Sequence, residues 1–268
     1  MRHFPHTYGP YAVVTGASAG IGEAFAEQLA SRGVQLFLVA RRRDKLEALA
    51  ARLRTEHHVD VRCLALDLAQ PGAARALFEQ TQDVDVGLLV LNAAVLNVGG
   101  FLTSTLEEES QLVRLNVLTP TEVAHLVGRR LKERGRGGIV LVSSVAAVAP
   151  APYQATYAAS KAYLTSLGRA LGFELAQHGV DVTVVAPGPT DTEGLRNAAN
   201  IDFSKMPGAK MSPTEVAVAA LDGLGRRSFV IPGLANRITA LLFALLPTRV
   251  LVRLYGRMMR GVVKKQAL

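Results

Sequence analysis

Three side chains in the second half of the chain have the types and spacing to move a proton: Ser144, Tyr157 and Lys161. Tyr157 and Lys161 are four residues apart, so on a helix they share one face and project into the same space. The pairing matters because a free phenol, with a pKa of about 10, titrates too high for acid/base work at neutral pH. A neighbouring ammonium favours the phenolate, so the expectation is a lowered phenol pKa. Such a tyrosine can give a proton to an oxygen that is gaining charge, or take one from a hydroxyl. A Tyr-x-x-x-Lys pair alone is commonplace on exposed helices. Ser144, thirteen residues ahead at the end of an apolar run, is what sets this pair apart.

A second chemical feature lies near the N-terminus, where residues 15–22 read Thr15-Gly16-Ala17-Ser18-Ala19-Gly20-Ile21-Gly22. Small residues let the backbone approach a pyrophosphate, and a helix starting there presents free N–H groups and a positive dipole end. A plain structural turn is the alternative, but a strand-like run before the loop and a helical period after it favour dinucleotide binding.

Positioning these two features requires a scaffold, and the hydrophobic pattern supplies one. Short apolar runs at 11–15, 34–40, 61–66, 86–91, 138–143, 180–186 and 229–231 read as strands. Between them, segments such as 20–32 and 43–55 carry Leu, Ala and Phe at helical spacing. Strand and helix in alternation imply right-handed crossovers and a parallel sheet covered on both faces. The expected fold is therefore α/β, with seven parallel strands sandwiched between helices over 1–231, followed by an apolar and basic helical extension at 232–268. The stretch 187–213 is rich in Gly, Pro, Asn and Thr and too long for an ordinary connection, which suggests a binding loop.

With 268 residues, 49% of them hydrophobic, the chain can bury a large core. The single cysteine, Cys63, forms no internal disulfide and no zinc cluster, so a reducing, cytoplasmic compartment and no metal are expected. The N-terminal ten residues lack the apolar stretch of a signal peptide, and His3 and His6 read as part of an exposed tail. The net charge of +8 is local. Nine basic residues and no acid fall after position 225, leaving 21 basic and 22 acidic residues for the remainder. A nearly neutral body argues against a general nucleic-acid surface.

Residues 15–22 resemble the cofactor loop of the short-chain dehydrogenase/reductase family, and the resemblance runs from about Tyr11 to Ile231. It implies a single Rossmann-type domain and a homo-oligomer, dimer or tetramer. It further implies that Asn116, Ser144, Tyr157 and Lys161 form the family's catalytic tetrad. In that reading Ser144 orients a substrate carbonyl, Lys161 also holds the nicotinamide ribose, and Asn116 keeps a water relay toward the lysine. Cofactor contacts are expected from Gly16, Ser18, Gly20, Ile21, Gly22, Asn92, Tyr157 and Lys161. Pro187, Gly188, Thr190 and Thr192 are similar to the segment that meets the nicotinamide carboxamide, and Asp67 stands where the family holds the adenine, unless it is a turn residue. The second strand is followed by Arg41-Arg42-Arg43, with no acid to accept from an adenosine 2′-hydroxyl. That favours a 2′-phosphate on Arg41, with Arg42 as a second candidate, hence NADP(H). One departure is Leu91-Asn92-Ala93-Ala94, where the family has Asn-Asn-Ala-Gly; a Cβ at Ala94 resists positive φ.

The implied activity is an NADP(H)-dependent interconversion of a ketone or aldehyde and an alcohol. Leu195, Ile201, Phe203, Met206, Met211 and Tyr153 favour an apolar, lipid-like substrate. The alternative is a non-catalytic NADP(H)-binding sensor or scaffold acting through its tail. In that tail, 238–246 is too short to cross a membrane, where about 20 apolar residues are needed. Arg249, Arg253, Arg257, Arg260 and Lys264 follow a helical stripe, with Leu251, Leu254, Met258 and Val262 opposite. Residues 235–265 either lie on an anionic membrane surface or pack on the domain or a subunit interface.

Overall fold

The computed structural model describes residues 4–196, 198, 200–205, 210–264 and 267. A short helix α1 (Phe4–Tyr8) leads into β1 (Tyr11–Thr15), α2 (Gly20–Ala30), β2 (Gln35–Ala40), α3 (Arg43–His57), β3 (Val61–Ala65), α4 (Ala73–Gln80) and β4 (Val86–Leu91). Then come α5 (Leu106–Val113), a π-helical turn at Arg114–Leu118, α6 (Thr119–Arg134), β5 (Gly137–Val142), α7 (Ala155–Ala176) and β6 (Val180–Val185). The chain continues through α8 (Glu193–Arg196), α9 (Pro213–Gly223), β7 (Phe229–Val230), α10 (Leu234–Leu245) and α11 (Thr248–Arg260).

All seven strands pair in parallel, in the order β3-β2-β1-β4-β5-β6-β7. The unbroken apolar runs have a simple cause, since alternate residues enter two different cores. Ala12 and Val14 of β1 join Phe25, Leu29, Leu46 and Leu221 under α2, α3 and α9. Val13 joins Leu77, Val127, Leu131 and Leu164 under α4, α6 and α7. The strand order reverses between β1 and β4, and such a switch point opens a crevice beyond the strands' C-terminal ends. The loop after β1 and Ser144 after β5 both emerge there.

The tail adds a third, smaller core. Met259, Val262, Val263 and Ala267 pack with Val98 and Ile201, and Leu96, Tyr153, Leu195 and Tyr255 lean against them. Backbone bonds fix the tail in place: Lys264 N donates to Asn200 O at 3.0 Å, Asp202 N to Val262 O at 2.9 Å and Gly100 N to Ala267 O at 2.8 Å. The inner faces of α10 and α11 thus pack on the domain, while Leu234, Ile238, Leu241, Leu245, Val250 and Leu254 face outward. Of the apolar stripe Leu251, Leu254, Met258 and Val262, Leu251 and Val262 are buried and Leu254 is exposed. No helix among the described residues is long and apolar enough to cross a membrane.

Candidate active site

A cavity of about 1090 Å³ runs across the switch point. That exceeds the roughly 300–1,000 Å³ of an ordinary small-molecule pocket, leaving room for two ligands side by side.

At one end lies the glycine loop. Gly16, Ser18, Ala19, Gly20 and Ile21 line the cavity. Thr15 ties β1 to β4: its Oγ1 donates to Val90 O at 3.1 Å and accepts from Asn92 N at 2.9 Å and Ala93 N at 3.1 Å. Asn92 Nδ2 returns to Thr15 O at 3.0 Å. Helix α2 begins at Ala19, which has no capping side chain, so its first-turn N–H groups are left for an anion. Gly22 does not line the cavity. A Cβ there would run into the Gly16 carbonyl, so this glycine lets helix and loop close on each other. Arg41 and Arg42 border the same end. Arg42 Nη2 donates to Ser18 Oγ at 3.2 Å, and its Nη1 lies 3.5 Å from Glu193 Oε2, which also pairs with Lys45 Nζ at 2.8 Å. A loop that admits backbone approach, an uncapped helix start and two guanidinium groups suit a phosphorylated dinucleotide.

The chemical centre sits where α7 meets β5. Ser143 Oγ donates to Lys161 O at 2.8 Å, and Lys161 Nζ donates to Val142 O at 2.9 Å. Gly168 lets α7 lie close on the sheet, since a Cβ there would strike Val184 of β6 and crowd Leu141 of β5. Ser144 Oγ accepts from Ala146 N at 3.1 Å, and Val145 N donates to Pro187 O at 3.0 Å, joining the β5 and β6 loops. Ser144, Tyr157 and Lys161 all line the cavity.

The expected lowering of the phenol pKa is corrected by the geometry. Burial pushes Tyr157 up, opposed only by hydrogen bonding with the Ser144 side chain. Lys161 does not offset this, because its ammonium lies 5.7 Å from the ring centroid and is bonded to Val142 O instead. Burial also lowers Lys161 itself to about 8. A buried ammonium is already penalised by desolvation, and spacing along a helix does not reveal that penalty. Tyr157 is consequently held as a neutral phenol, which is the proton-donating form.

The far end is roofed by the tail. Leu242, Phe243, Leu251, Tyr255, Met258 and Met259 line it. Tyr255 Oη donates to Gln154 Oε1 at 3.1 Å and its ring meets Phe243 edge-on at 6.2 Å. Burial, with a smaller contribution from the neighbouring Tyr157, pushes Tyr255 up to about 12.

Most of the residues singled out by the sequence converge here, including Asn92, Pro187, Gly188, Thr190 and Thr192. Two others do not. Asn116 is buried outside the cavity: its Oδ1 accepts from Val95 N at 2.9 Å, and its Nδ2 donates to Val95 O at 2.9 Å and Ser160 Oγ at 3.2 Å. Its amide fixes the β4 loop to α7. Asp67 also lies off the cavity. Its carboxylate accepts from Ala69 N at 3.0 Å and Gln70 Nε2 at 3.3 Å, as a turn residue does. Ala94 lines the cavity without left-handed backbone, for among the described non-glycine residues only His58 and Tyr153 have positive φ. The Gly-to-Ala departure is therefore free of strain. Of the expected binding loop, Leu195 lines the cavity, Ile201 and Met211 are buried, and Met206 and the Phe203 side chain lie outside the described residues. The tail residues were missed as cavity lining, and only the apolar stripe of α11 hinted at them.

A family model described as short chain dehydrogenase matches residues 10–201. A 7beta-hydroxysteroid dehydrogenase of Clostridium sardiniense is 33% identical over 236 residues, covering 88% of this chain and 90% of that protein. A solved structure from work on 7beta-hydroxysteroid dehydrogenase stereoselectivity superposes with a TM-score of 0.86 at 28% identity, covering 94% of this chain and 99% of the other. A short-chain dehydrogenase from Sphingobium yanoikuyae in complex with NADPH gives 0.80 at 39% identity, over 88% and 93%. The chain belongs to the short-chain dehydrogenase family.

Proposed function

We propose that this protein is an NADP(H)-dependent oxidoreductase that reduces a bulky apolar ketone, or oxidises the corresponding alcohol. The observation that carries the reading is one cavity with the glycine loop and Arg41 at one end, Ser144, Tyr157 and Lys161 in the middle, and an apolar roof at the other. Gly16, Ser18, Gly20, Ile21 and Asn92 would cradle the dinucleotide, and Arg41 with Arg42 would meet its 2′-phosphate. The bound nicotinamide supplies or accepts the hydride. Ser144 Oγ orients the carbonyl oxygen, and the Tyr157 hydroxyl donates its proton to that oxygen as charge builds there. Lys161 would hold the nicotinamide ribose, and Asn116 holds the loop that fixes one wall. A phenol kept neutral by burial favours reduction at neutral pH, while alcohol oxidation gains as pH rises. A ring-bearing ketone of steroid-like size agrees with the apolar roof and with the names of the relatives. A purely cofactor-binding sensor has no use for Ser144 and Tyr157 on the same wall.

The test is NADPH absorbance with a panel of polycyclic, fatty-acyl and small aromatic ketones. Turnover is expected for the polycyclic members, and Tyr157→Phe is expected to abolish it. Undiminished turnover in that variant overturns the proton assignment.

Two partners belong to this reading. A second copy of the chain is supported by Leu118, Tyr163 and Phe173, which are exposed around α6 and α7; light scattering on Phe173→Glu against wild type checks it. Peripheral contact of 235–265 with an anionic membrane is supported by the outward leucines of α10 and by Arg249, Arg253 and Arg257 on α11. Failure to co-float with anionic vesicles removes that contact.

A further inference from the structure

The start of α3 is crowded with cations: residues 41–45 read Arg41-Arg42-Arg43-Asp44-Lys45, four basic side chains against one acid. A helix N-terminus carries the positive end of the dipole and disfavours such a cluster, and Arg42 at the N-cap supplies no capping acceptor. What offsets the cluster comes from across the cavity. Glu193, in the first turn of α8, reaches over to it: Lys45 Nζ donates to Glu193 Oε1 at 3.0 Å and to Oε2 at 2.8 Å, and Arg42 Nη1 lies 3.5 Å from Oε2. Its neighbours seat it there. Leu195 N donates to Thr192 Oγ1 at 3.2 Å, and Thr192 lies on Gly20, where a Cβ would come within 2.9 Å of the threonine methyl. Glu193 lines the cavity together with Arg41 and Arg42. Lys45 first of all, and then Arg42, hold its carboxyl below the ordinary carboxylate range, so it is an anion at neutral pH. The acid that the stretch after β2 lacks is thus supplied by the loop after β6.

One carboxylate oxygen of Glu193 meets both Lys45 and Arg42, so a single anion can bridge the two cations. A phosphate monoester offers the same chemistry with more charge and more acceptor oxygens. It cannot take these cations while Glu193 keeps them without two anions standing within a few ångströms of each other. Binding is therefore an exchange, and affinity for the phosphate is net of the ion pairs given up. A dinucleotide without the 2′-phosphate has nothing to exchange. Resting on the oxidoreductase reading above, we propose that Lys45 is a third cation of the 2′-phosphate site, and that Glu193 is a specificity-determining residue which competes with that phosphate for Arg42 and Lys45 and so limits the preference for NADP(H) over NAD(H).

Calorimetric dissociation constants of NADP+ and NAD+ test this without turnover, for wild type, Glu193→Gln and Lys45→Met at about 0.05 and 0.5 M salt. Glu193→Gln is expected to bind NADP+ about fivefold tighter, with NAD+ within about twofold, because a like charge beside the phosphate is gone. The gain should shrink at the higher salt, where exposed charges are screened. Lys45→Met should bind NADP+ about fivefold more weakly and again leave NAD+ little changed. Unchanged or weaker NADP+ binding by Glu193→Gln overturns the competition and makes Glu193 a strut of the loop; a gain shared equally by NAD+ does the same. NADP+ binding by Lys45→Met as tight as that of wild type removes Lys45 from the site. If wild type binds neither dinucleotide, the oxidoreductase reading falls and the competition with it. With binding and ketone turnover intact, the other outcomes bear on the competition alone.

Discussion

The two ends of the cavity are built in opposite ways. The cofactor end comes from one continuous stretch, β1 through the loop into α2, with Asn92 and the arginines of the neighbouring strands closing it. The substrate end is assembled from four separated segments: the loop after β4, the turn before α7, the loop after β6 and the two tail helices. A phosphate-bearing ligand recurs unchanged across a family and can be met by backbone groups of one local turn. A variable substrate is met by side chains brought together only by tertiary packing. The Ser144–Tyr157–Lys161 cluster lies between the two and serves both.

Removing the shared centre should have the largest effect. Lys161→Met is expected to lower kcat by about 10²–10⁴-fold, the range of a lost acid/base element. The same variant should be more stable than wild type at neutral pH. Lowering Lys161 from 10.5 to about 8 corresponds to about 3 kcal/mol of desolvation penalty. Loss of the donor to Val142 O returns about 1 kcal/mol of that. The pH dependence follows from the same shift. Between about 8 and 10.5 the unfolded chain holds the lysine proton and the folded one does not, so wild-type stability rises with pH across that window. The penalty is present in full below about 8 and gone above 10.5. Urea midpoints of wild type and Lys161→Met should therefore converge as pH rises from 7 to 10; parallel curves would contradict it.

The cofactor end comes next. Arg41→Ala should raise KM for NADPH by about 10–100-fold, the worth of one charge-assisted phosphate contact, and change KM for NADH little. The ketone KM at saturating cofactor should stay within twofold. Equal losses for both cofactors would remove the 2′-phosphate from Arg41 and blur the separation of the two ends.

What the sequence made legible follows the same division. Strand positions were readable to within a residue or so because doubly covered strands are apolar throughout; the run at 34–40 became Gln35–Ala40 and that at 138–143 became Gly137–Val142. The glycine loop and the Tyr157–Lys161 pair were readable because both are short-range patterns. The sign of the Tyr157 shift was not, since it depends on burial and on Lys161 turning to a carbonyl of β5. Nor was the clamp made by Asn116, whose partner Val95 is fixed by the fold and not by spacing. The tail was read as amphipathic. That its inner stripe covers the cavity depends on Met259, Val262 and Val263 finding Val98 and Ile201 far away in the chain.

The smallest effect should come from the tail residue nearest the chemistry. Tyr255→Phe removes only the hydroxyl that donates to the buried Gln154, leaving that amide oxygen unpaired at about 1 kcal/mol. Because Gln154 lines both the main cavity and a smaller recess beside it, the loss should appear as a roughly fivefold rise in ketone KM. The NADPH KM should not move. With Tyr255 pushed up to about 12, its hydroxyl stays protonated throughout the working range, so the ratio of wild type to variant should be flat from pH 6 to 9. Lys161, at about 8, changes charge inside that range. A Tyr255→Phe effect that varied with pH, or that fell on NADPH, would show the roof to be coupled to the cofactor end and not only set above the substrate.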